Sequence, residues 1–472
     1  MSTLHHSCDL AIIGAGPGGY VAAIRAAQLG LKTSIIEANH LGGICLNWGC
    51  IPTKALLRAS ELYHQLETLE EFGLKAQNFS FDCSKVVERS RKVAEKLTGG
   101  VKGLLKKNNV ATIFGRASFH GKEGKNHILK VEKEGQQPEL IGAPNIIIAT
   151  GARARQLPHL EADGQHIWTY KEAMIPEKVP ASLLIVGSGA IGIEYASFYA
   201  AMGAKVTVVE VLERILPAED EEISTLARKA FEKRGITIHT DTNVKSLEKT
   251  SQGIKAHLEQ KSGPITQTVD KVILAVGITA NTENLGLEQT KVKVDKGHIL
   301  TDEWAQTAEP GVYAIGDVAG APWLAHKASH EGITAVEHIA GLASAHPLKR
   351  SLIPGCTYSA PQIASVGLTE SQAISQGYTL KVGRFPFLAN GKALAMGEPE
   401  GLIKTIFDAK TGELLGAHMI GAEVTELIQG FCIAKTLEAT ESDLIQTIFP
   451  HPTLSEMMHE AVLNAEGRGL HY

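Results

Sequence analysis

A chain of 472 residues is longer than one hydrophobic core usually serves, so its length predicts two to four domains, each burying its own interior. With 44% hydrophobic residues, 21% charged residues and a net charge of −5, it carries no basic field that would gather nucleic acid or an anionic membrane. No window reaches the roughly 18 apolar residues of a membrane span, and the N-terminal MSTLHHSCDL lacks the basic start and apolar core of an export signal, so a cytoplasmic location is expected.

The first stretch with a clear pattern is DLAIIGAGPGGYVAAIRAAQLGLKTSIIE: an apolar run, Gly14, Gly16 and Gly19, an Ala-rich helical segment, then a second apolar run ending at Glu37. This order predicts a strand, a glycine turn, a helix and a strand. In such a unit the first glycine permits the tight turn, the second lets backbone amides approach a pyrophosphate, and the third lets helix and strand pack closely. The helix N-terminus then favours the negative charge, and the acidic residue accepts hydrogen bonds from a ribose.

Next comes GGICLNWGCIPTK, which sets Cys45 and Cys50 five positions apart in a chain with only six cysteines. A zinc clamp needs more ligands, and no second cysteine pair or nearby histidine cluster supplies them, so no metal is expected. A structural staple closing so short a loop stabilises little, and the single, scattered Cys8, Cys83, Cys356 and Cys432 do not suggest an oxidising compartment. Redox work remains. On a regular helix positions five apart lie about 8.6 Å from each other, beyond the roughly 7 Å limit for a bridge, so the helix must bend between them, with Gly49 as the flexible point. Lys54, four residues past Cys50, falls on roughly the same helical side and reads either as added positive charge or as a plain surface lysine.

Further along, KEGKNHILKVEKEGQQP (122–138) reads as a hairpin with a solvated tip, and NIIIATG, ending at Gly151, as a closing strand. The glycine pattern then returns in SLLIVGSGAIGIEYASFYAAMGAKVTVVE, with Gly187, Gly189 and Gly192, and Glu210 at the spacing from Gly187 that Glu37 has from Gly14. KVILAVG, ending at Gly277, closes the second unit. GVYAIGD follows, and its Asp317 reads either as a partner for a sugar or ribityl hydroxyl or as a cap on the next helix. If Asp317 serves the first nucleotide, the second fold is an insertion into the first domain. From about Ser351 strand-like pieces alternate with turns before the helix-like EVTELIQGFCIAKTLE, which predicts an antiparallel α+β module.

The expected fold class is therefore α/β, with two Rossmann-like dinucleotide-binding domains and a C-terminal α+β domain. The boundaries are 1–150 for the first nucleotide domain, 151–278 for the inserted second, 279–350 for a central segment completing the first site, and 351–472 for an interface domain. A dithiol surrenders two electrons and a nicotinamide accepts a hydride, so a relay that handles both is required, and a flavin has that chemistry. The first fold is assigned to FAD and the second to NAD.

The cysteine segment, both glycine motifs, YAIGDVAG, WLAHKASHEG, VEVLERILPAED and the C-terminal FPHPTLSE together resemble the flavin disulfide reductases from end to end, and within them the branch that oxidises dihydrolipoamide. The resemblance implies that Cys45 exchanges with substrate while Cys50 faces the flavin as a thiolate. It implies that His451, oriented by Glu456, is the acid-base for the cysteine pair of the other subunit, so that a homodimer is obligatory. Lys54 and Glu194 match a pair beside the flavin, and Ala117, Asp317 and Ala325 match flavin contacts, together with Gly151. Ile191, Val244 and Gly277 join the glycines and Glu210 on the NAD side. Glu210 favours NAD, because its carboxylate bonds a 2′-hydroxyl and repels a 2′-phosphate. Nearby Arg214 argues weakly the other way. Ile278 departs from the pattern, since many relatives carry arginine there.

With Gly14 so near the start there is no room for a fused lipoyl domain, so the lipoyl group is expected on a partner, an acyltransferase or carrier protein. Two rivals remain. An NADPH-dependent reductase of glutathione would carry basic residues where Glu210 stands, and a mercury-reducing relative would carry another cysteine pair where this chain ends EGRGLHY. A non-catalytic flavin scaffold or redox sensor would be expected to lose the cysteine pair or the histidine.

Overall fold

The computed structural model describes residues 6–472; the first five residues of MSTLHHSCDL lie outside them. The chain divides into two compact units, each discontinuous in sequence. One takes residues up to Ala55 with Val87–Arg155 and Ile278–Leu348, and the other takes Leu56–Val86, Gln156–Gly277 and Lys349–Tyr472. Among the described residues no helix is long and apolar enough to cross a membrane.

The first unit is built on a five-stranded, wholly parallel sheet in the order Val312–Ala314, Asn145–Ile148, Leu10–Ile13, Thr33–Glu37, Ala111–Phe114. Its central strands, LAII and NIII, are almost continuously apolar because both faces are covered: Leu10, Ile12 and Ile147 pack with helices, and Ala11, Ile13, Ile146 and Ile148 against Phe119, Leu129 and Val131 of a second sheet. Helix Pro17–Gln28 packs on helix Ala325–Ile339 closely enough that a β-carbon at Gly18 would meet Ala328 O at 2.8 Å. The strand before Asp317 pairs with Asn145–Ile148, so this sheet is completed only by chain that follows the second glycine motif. A mixed four-stranded sheet, in the order His6–Ser7, Glu139–Ala143, Asn126–Glu132, Arg116–Glu123, with only its first pair parallel, contains the hairpin expected over 122–138.

The second unit repeats the parallel design in the order Ile167–Trp168, Lys271–Leu274, Ser182–Val186, Lys205–Val209, Thr237–His239. A three-stranded antiparallel meander, Thr242–Thr250, Gly253–Gln260 and Gly263–Val269, is added to it. The C-terminal module is a five-stranded antiparallel sheet ordered Gly355–Thr357, Gln362–Gly367, Leu414–Gly421, Leu402–Asp408, Leu380–Pro386. Helices Val424–Thr436 and Glu456–Ala465 bury Phe431, Met457 and Val462 against Phe385, Ile403 and Phe407. Beneath this layer lies a buried ion cluster, in which Lys404 Nζ contacts Asp220 (2.8 Å), Glu222 (3.0 Å) and Glu370 (2.7 Å).

Candidate functional site

Each parallel sheet presents one glycine turn at the end of its central strand, and the two turns are near copies. Gly14 and Gly187 sit at φ +103° and +101°, where side chains are strained, and a β-carbon on either would lie 2.3 Å from a carbonyl oxygen, of Ala149 or Ala275. A β-carbon on Gly19 would lie 1.9 Å from Gly14 O, and one on Gly192 would lie 2.1 Å from Gly187 O. The middle glycines differ in kind. Nothing stands within 4 Å of a β-carbon built on Gly16 or Gly189. Each is the N-cap of a 12-residue helix with no side-chain cap and no acidic residue in its first turn, Pro17–Gln28 or Ala190–Ala201. The space a methyl group would fill lies beside unclaimed helix N–H groups, which is the cradle a pyrophosphate requires, so the residues of both turns fit a dinucleotide.

The acidic residues do more than the sequence foretold. Glu37 Oε2 accepts the Ala15 N–H at 2.7 Å and its Oε1 accepts the Asn39 N–H at 2.7 Å. Glu210 repeats this with Ser188 N–H (2.9 Å), Ser188 hydroxyl (2.7 Å) and Leu212 N–H (3.0 Å). Both carboxylates thus tie the glycine turn to the end of the second strand. Oxygen lone pairs are left over to accept from a ribose.

The cysteine segment is pinned to the first turn. Gly42 N–H donates to Ala15 O at 2.8 Å, and a β-carbon on Gly43 would lie 2.7 Å from Gly16 Cα, so the doubled glycine allows backbone to rest on backbone. Helix Gly43–Trp48 then ends at Gly49 (φ −148°, ψ −116°), where a side chain would crowd Ile44 O at 3.2 Å, and a new helix, Cys50–Glu67, begins at Cys50 itself. The bend required by the spacing is therefore a full break. Both cysteines are half-buried, and the Cys45 thiol is hydrogen-bonded to Cys50. That bond, then burial, then the charge of Cys50, pushes the Cys45 thiol far above its ordinary range, with Lys54 opposing and Asp317 reinforcing the shift. Cys50 opens its helix at the N-terminus, where a thiolate is favoured.

Asp317 lies in the short turn Gly316–Ala319 of the same unit and does not cap the following helix, whose N-cap is Leu324 with no side-chain cap. Its carboxylate accepts no hydrogen bond among the described residues, and burial raises its pKa against the opposing charge of Lys327. Such a desolvated acceptor fits a hydroxyl-bearing ligand. Lys327, fully buried, donates to Gly316 O (3.1 Å), and Glu331 accepts the Gly316 N–H (2.7 Å), so an ion pair holds the turn by its backbone. Ala325 is the first residue of the next helix. Gly151 and Gly277, both at positive φ, each follow a closing strand. Ala117 and Val244 are buried in apolar clusters, which leaves their backbone as the part able to meet a ligand. Ile191 is exposed in the first turn of its helix. Lys54 falls in the first unit and Glu194 in the second, where its carboxylate accepts the Tyr358 N–H at 3.0 Å.

In the C-terminal module His451 is exposed, and its Nδ1 lies 2.9 Å from Glu456 Oε1. Glu456 opens helix Glu456–Ala465, and its other oxygen accepts the Thr453 N–H at 2.8 Å. Burial tends to raise the Glu456 pKa, but the hydrogen bonds from Thr453 and His451 outweigh it and hold the carboxylate below its usual range.

A model of the family described as pyridine nucleotide-disulphide oxidoreductase matches residues 8–332, and the dimerisation domain of that family matches residues 353–462. The chain belongs to this family. Among its relatives, dihydrolipoyl dehydrogenase of Zymomonas mobilis is 54% identical over 465 residues, covering 98% of this chain and 99% of its own. Dihydrolipoyl dehydrogenase of Rhizobium etli is 55% identical over 477 residues, with the same coverage. The crystal structure of LpdA from Mycobacterium tuberculosis matches with a TM-score of 0.90 at 26% identity, covering 96% of this chain and 99% of that one. The flavoprotein disulfide reductase RclA from Escherichia coli matches at 0.85 and 25%, covering 97% and 99%. The α/β architecture with a C-terminal dimerisation domain, and the standing as a flavoprotein disulfide oxidoreductase, agree with the expectation from sequence.

Proposed function

We propose that this oxidoreductase converts dihydrolipoamide, carried on the lipoyl domain of a partner, to lipoamide while NAD is reduced to NADH. The observation that carries this reading is the hydrogen-bonded Cys45–Cys50 pair, held beside the first glycine turn by Gly43 resting on Gly16 Cα. FAD on the first glycine turn and NAD on the second, when bound, supply the two-electron path from dithiol to hydride acceptor. Gly14, Gly16, Gly19, Glu37, Lys54, Ala117, Gly151, Asp317 and Ala325 serve the first; Gly187, Gly189, Ile191, Gly192, Glu210, Val244 and Gly277 serve the second.

The protein's own residues handle sulfur and proton. A substrate sulfur attacks Cys45 Sγ of the oxidised pair, the bond between the cysteines breaks, and Cys50 leaves as the thiolate its helix N-terminus favours. His451 accepts a substrate proton at Nε2, because its Nδ1–H is engaged by Glu456. The second substrate sulfur then attacks the first, lipoamide departs, and Cys45 takes up the remaining proton. Substrate has lost two electrons and two protons; the cysteine pair has gained the electrons.

A homodimer supplies His451 to the cysteine pair of a second copy. The dimerisation module supports this, since it leaves Leu388, Ile433, Leu437 and Ile448 exposed, the last at 95%. Glu210 sets the preference for NAD over NADP. The singly scattered Cys8, Cys83, Cys356 and Cys432 suit a reducing, cytoplasmic setting. The reading is tested by comparing turnover of dihydrolipoamide with NAD against oxidised glutathione with NADPH: the first pair is expected to be strongly favoured, and preference for the second would reject it.

A further inference from the structure

The two residues just before the break between the cysteines, Asn47 and Trp48, are both gripped from one face of helix Cys83–Lys107. Arg91 Nη2 donates to the Asn47 carbonyl oxygen at 2.5 Å, and the guanidinium carbon lies over the Trp48 ring, 4.6 Å from its centroid. Two helical turns on, the Thr98 hydroxyl donates to Asn47 Oδ1 at 3.0 Å. The Asn47 side-chain amide is committed in turn to Leu41 O and Gly43 O, each at 2.9 Å. The cation thus stands at the negative end of helix Gly43–Trp48 and takes up one of its last carbonyl groups, immediately before the chain turns at Gly49.

We infer that Arg91, assisted by Thr98, is a positioning residue for the cysteine pair: by holding Asn47 and Trp48 it fixes the break at Gly49 and keeps the Cys45 and Cys50 sulfurs within bonding reach. The inference rests on the redox reading above and deepens it. A disulfide closes only when the two β-carbons approach to about 3.5–4.5 Å, and the ease of closure follows how far the protein restricts the alternatives. Without the grip, the chain between the two helix fragments samples arrangements in which the sulfurs point apart, and the dithiol form gains relative to the disulfide. An arginine serving general stability alone would leave that ratio unchanged.

The experiment equilibrates holoprotein anaerobically in mixtures of reduced and oxidised dithiothreitol, then counts alkylated Cys45 and Cys50 by peptide mass spectrometry. In this exchange a bond forms between the two cysteine sulfurs, the disulfide of oxidised dithiothreitol opens, and two electrons and two protons pass to it. Arg91→Met is expected to move the reagent ratio at half-conversion about tenfold toward the dithiol, and Thr98→Val about threefold in the same direction. Arg91→Lys, which keeps a donor for Asn47 but loses the flat cation over Trp48, is expected between Arg91→Met and the unaltered protein. Midpoints within about twofold of the unaltered protein for both Arg91→Met and Thr98→Val would overturn the inference while leaving the pair redox-active. A pair that never forms a disulfide in the unaltered protein would overturn it together with the redox reading. Should Arg91→Met not fold, Thr98→Val decides in the same terms.

Discussion

His451 and Glu456 form a hydrogen-bonded dyad with Nδ1 to Oε1 at 2.9 Å, and the carboxylate is itself anchored by the Thr453 N–H at 2.8 Å. Glu456 thus meets the ring from a fixed direction, and in the mechanism we propose Nε2 is the nitrogen left for an incoming thiol.

For the dyad we predict that His451→Gln lowers turnover about 10²- to 10⁴-fold with flavin content and melting temperature unchanged. Glu456→Gln leaves a weaker, neutral partner and is expected to cost less. Steady-state rates with dihydrolipoamide check both, and unaltered turnover in His451→Gln would remove the histidine from the mechanism.

The cysteines are expected to behave unequally. Cys45→Ser should abolish turnover with dihydrolipoamide and keep a long-wavelength absorption from a thiolate beside the flavin, whereas Cys50→Ser should lose that absorption. The asymmetry follows from Cys50 opening a helix, whose N-terminus favours a thiolate, while Cys45 ends no helix and starts none. Visible spectra of the two variants decide; equal bands would contradict the assignment.

The glycines of the first turn separate folding from binding. Gly19→Ala puts a methyl group 1.9 Å from Gly14 O, and we expect it to destabilise the first unit by about 3 kcal/mol. Gly16→Ala meets nothing within 4 Å and has an ordinary φ of −67°, so it should fold normally yet hold FAD about tenfold more weakly, about 1.4 kcal/mol. Thermal melting and flavin release measured side by side test the contrast.

The ion cluster around Lys404 gives a pH prediction. Burial raises the Asp220 pKa, but hydrogen bonding and charge from Lys404 overcome it, so the folded value lies below the unfolded one. A depressed carboxylate contributes stability that is complete above its unfolded pKa of about 3.9 and is lost as pH falls through the folded value. Denaturant midpoints should thus hold steady down to about pH 5 and drop below about pH 4. Lys404→Met, which strands the buried Asp220 carboxylate, is expected to cost about 3–5 kcal/mol at neutral pH.

Much of this was legible in the chain because local rules and tertiary needs agreed. The glycine triplets, the spacing to Glu37 and Glu210, and the impossibility of bridging positions 45 and 50 on one regular helix each follow from short-range geometry. What escaped depends on distant contacts. Gly43 is needed because Gly16, far away in sequence, rests against it. The spacing of Glu37 and Glu210 points to ribose partners, and nothing local announces that they also bond the glycine turns. The meander over 242–269 hides because its outer face, as in TNVKSLEKT, is polar and its turns use ordinary residues. Arg91 sits in a charged helical stretch that reads as solvated surface until the structure places it over Trp48.

The central claim is that Cys45 and Cys50 are the couple that takes electrons from substrate. It is tested most directly by mixing oxidised holoprotein anaerobically with one equivalent of dihydrolipoamide, trapping thiols with an alkylating reagent, and mapping the peptides. New thiols at Cys45 and Cys50, with Cys8, Cys83, Cys356 and Cys432 unchanged, are the predicted result. Lipoamide formed without a change at either Cys45 or Cys50 would contradict it.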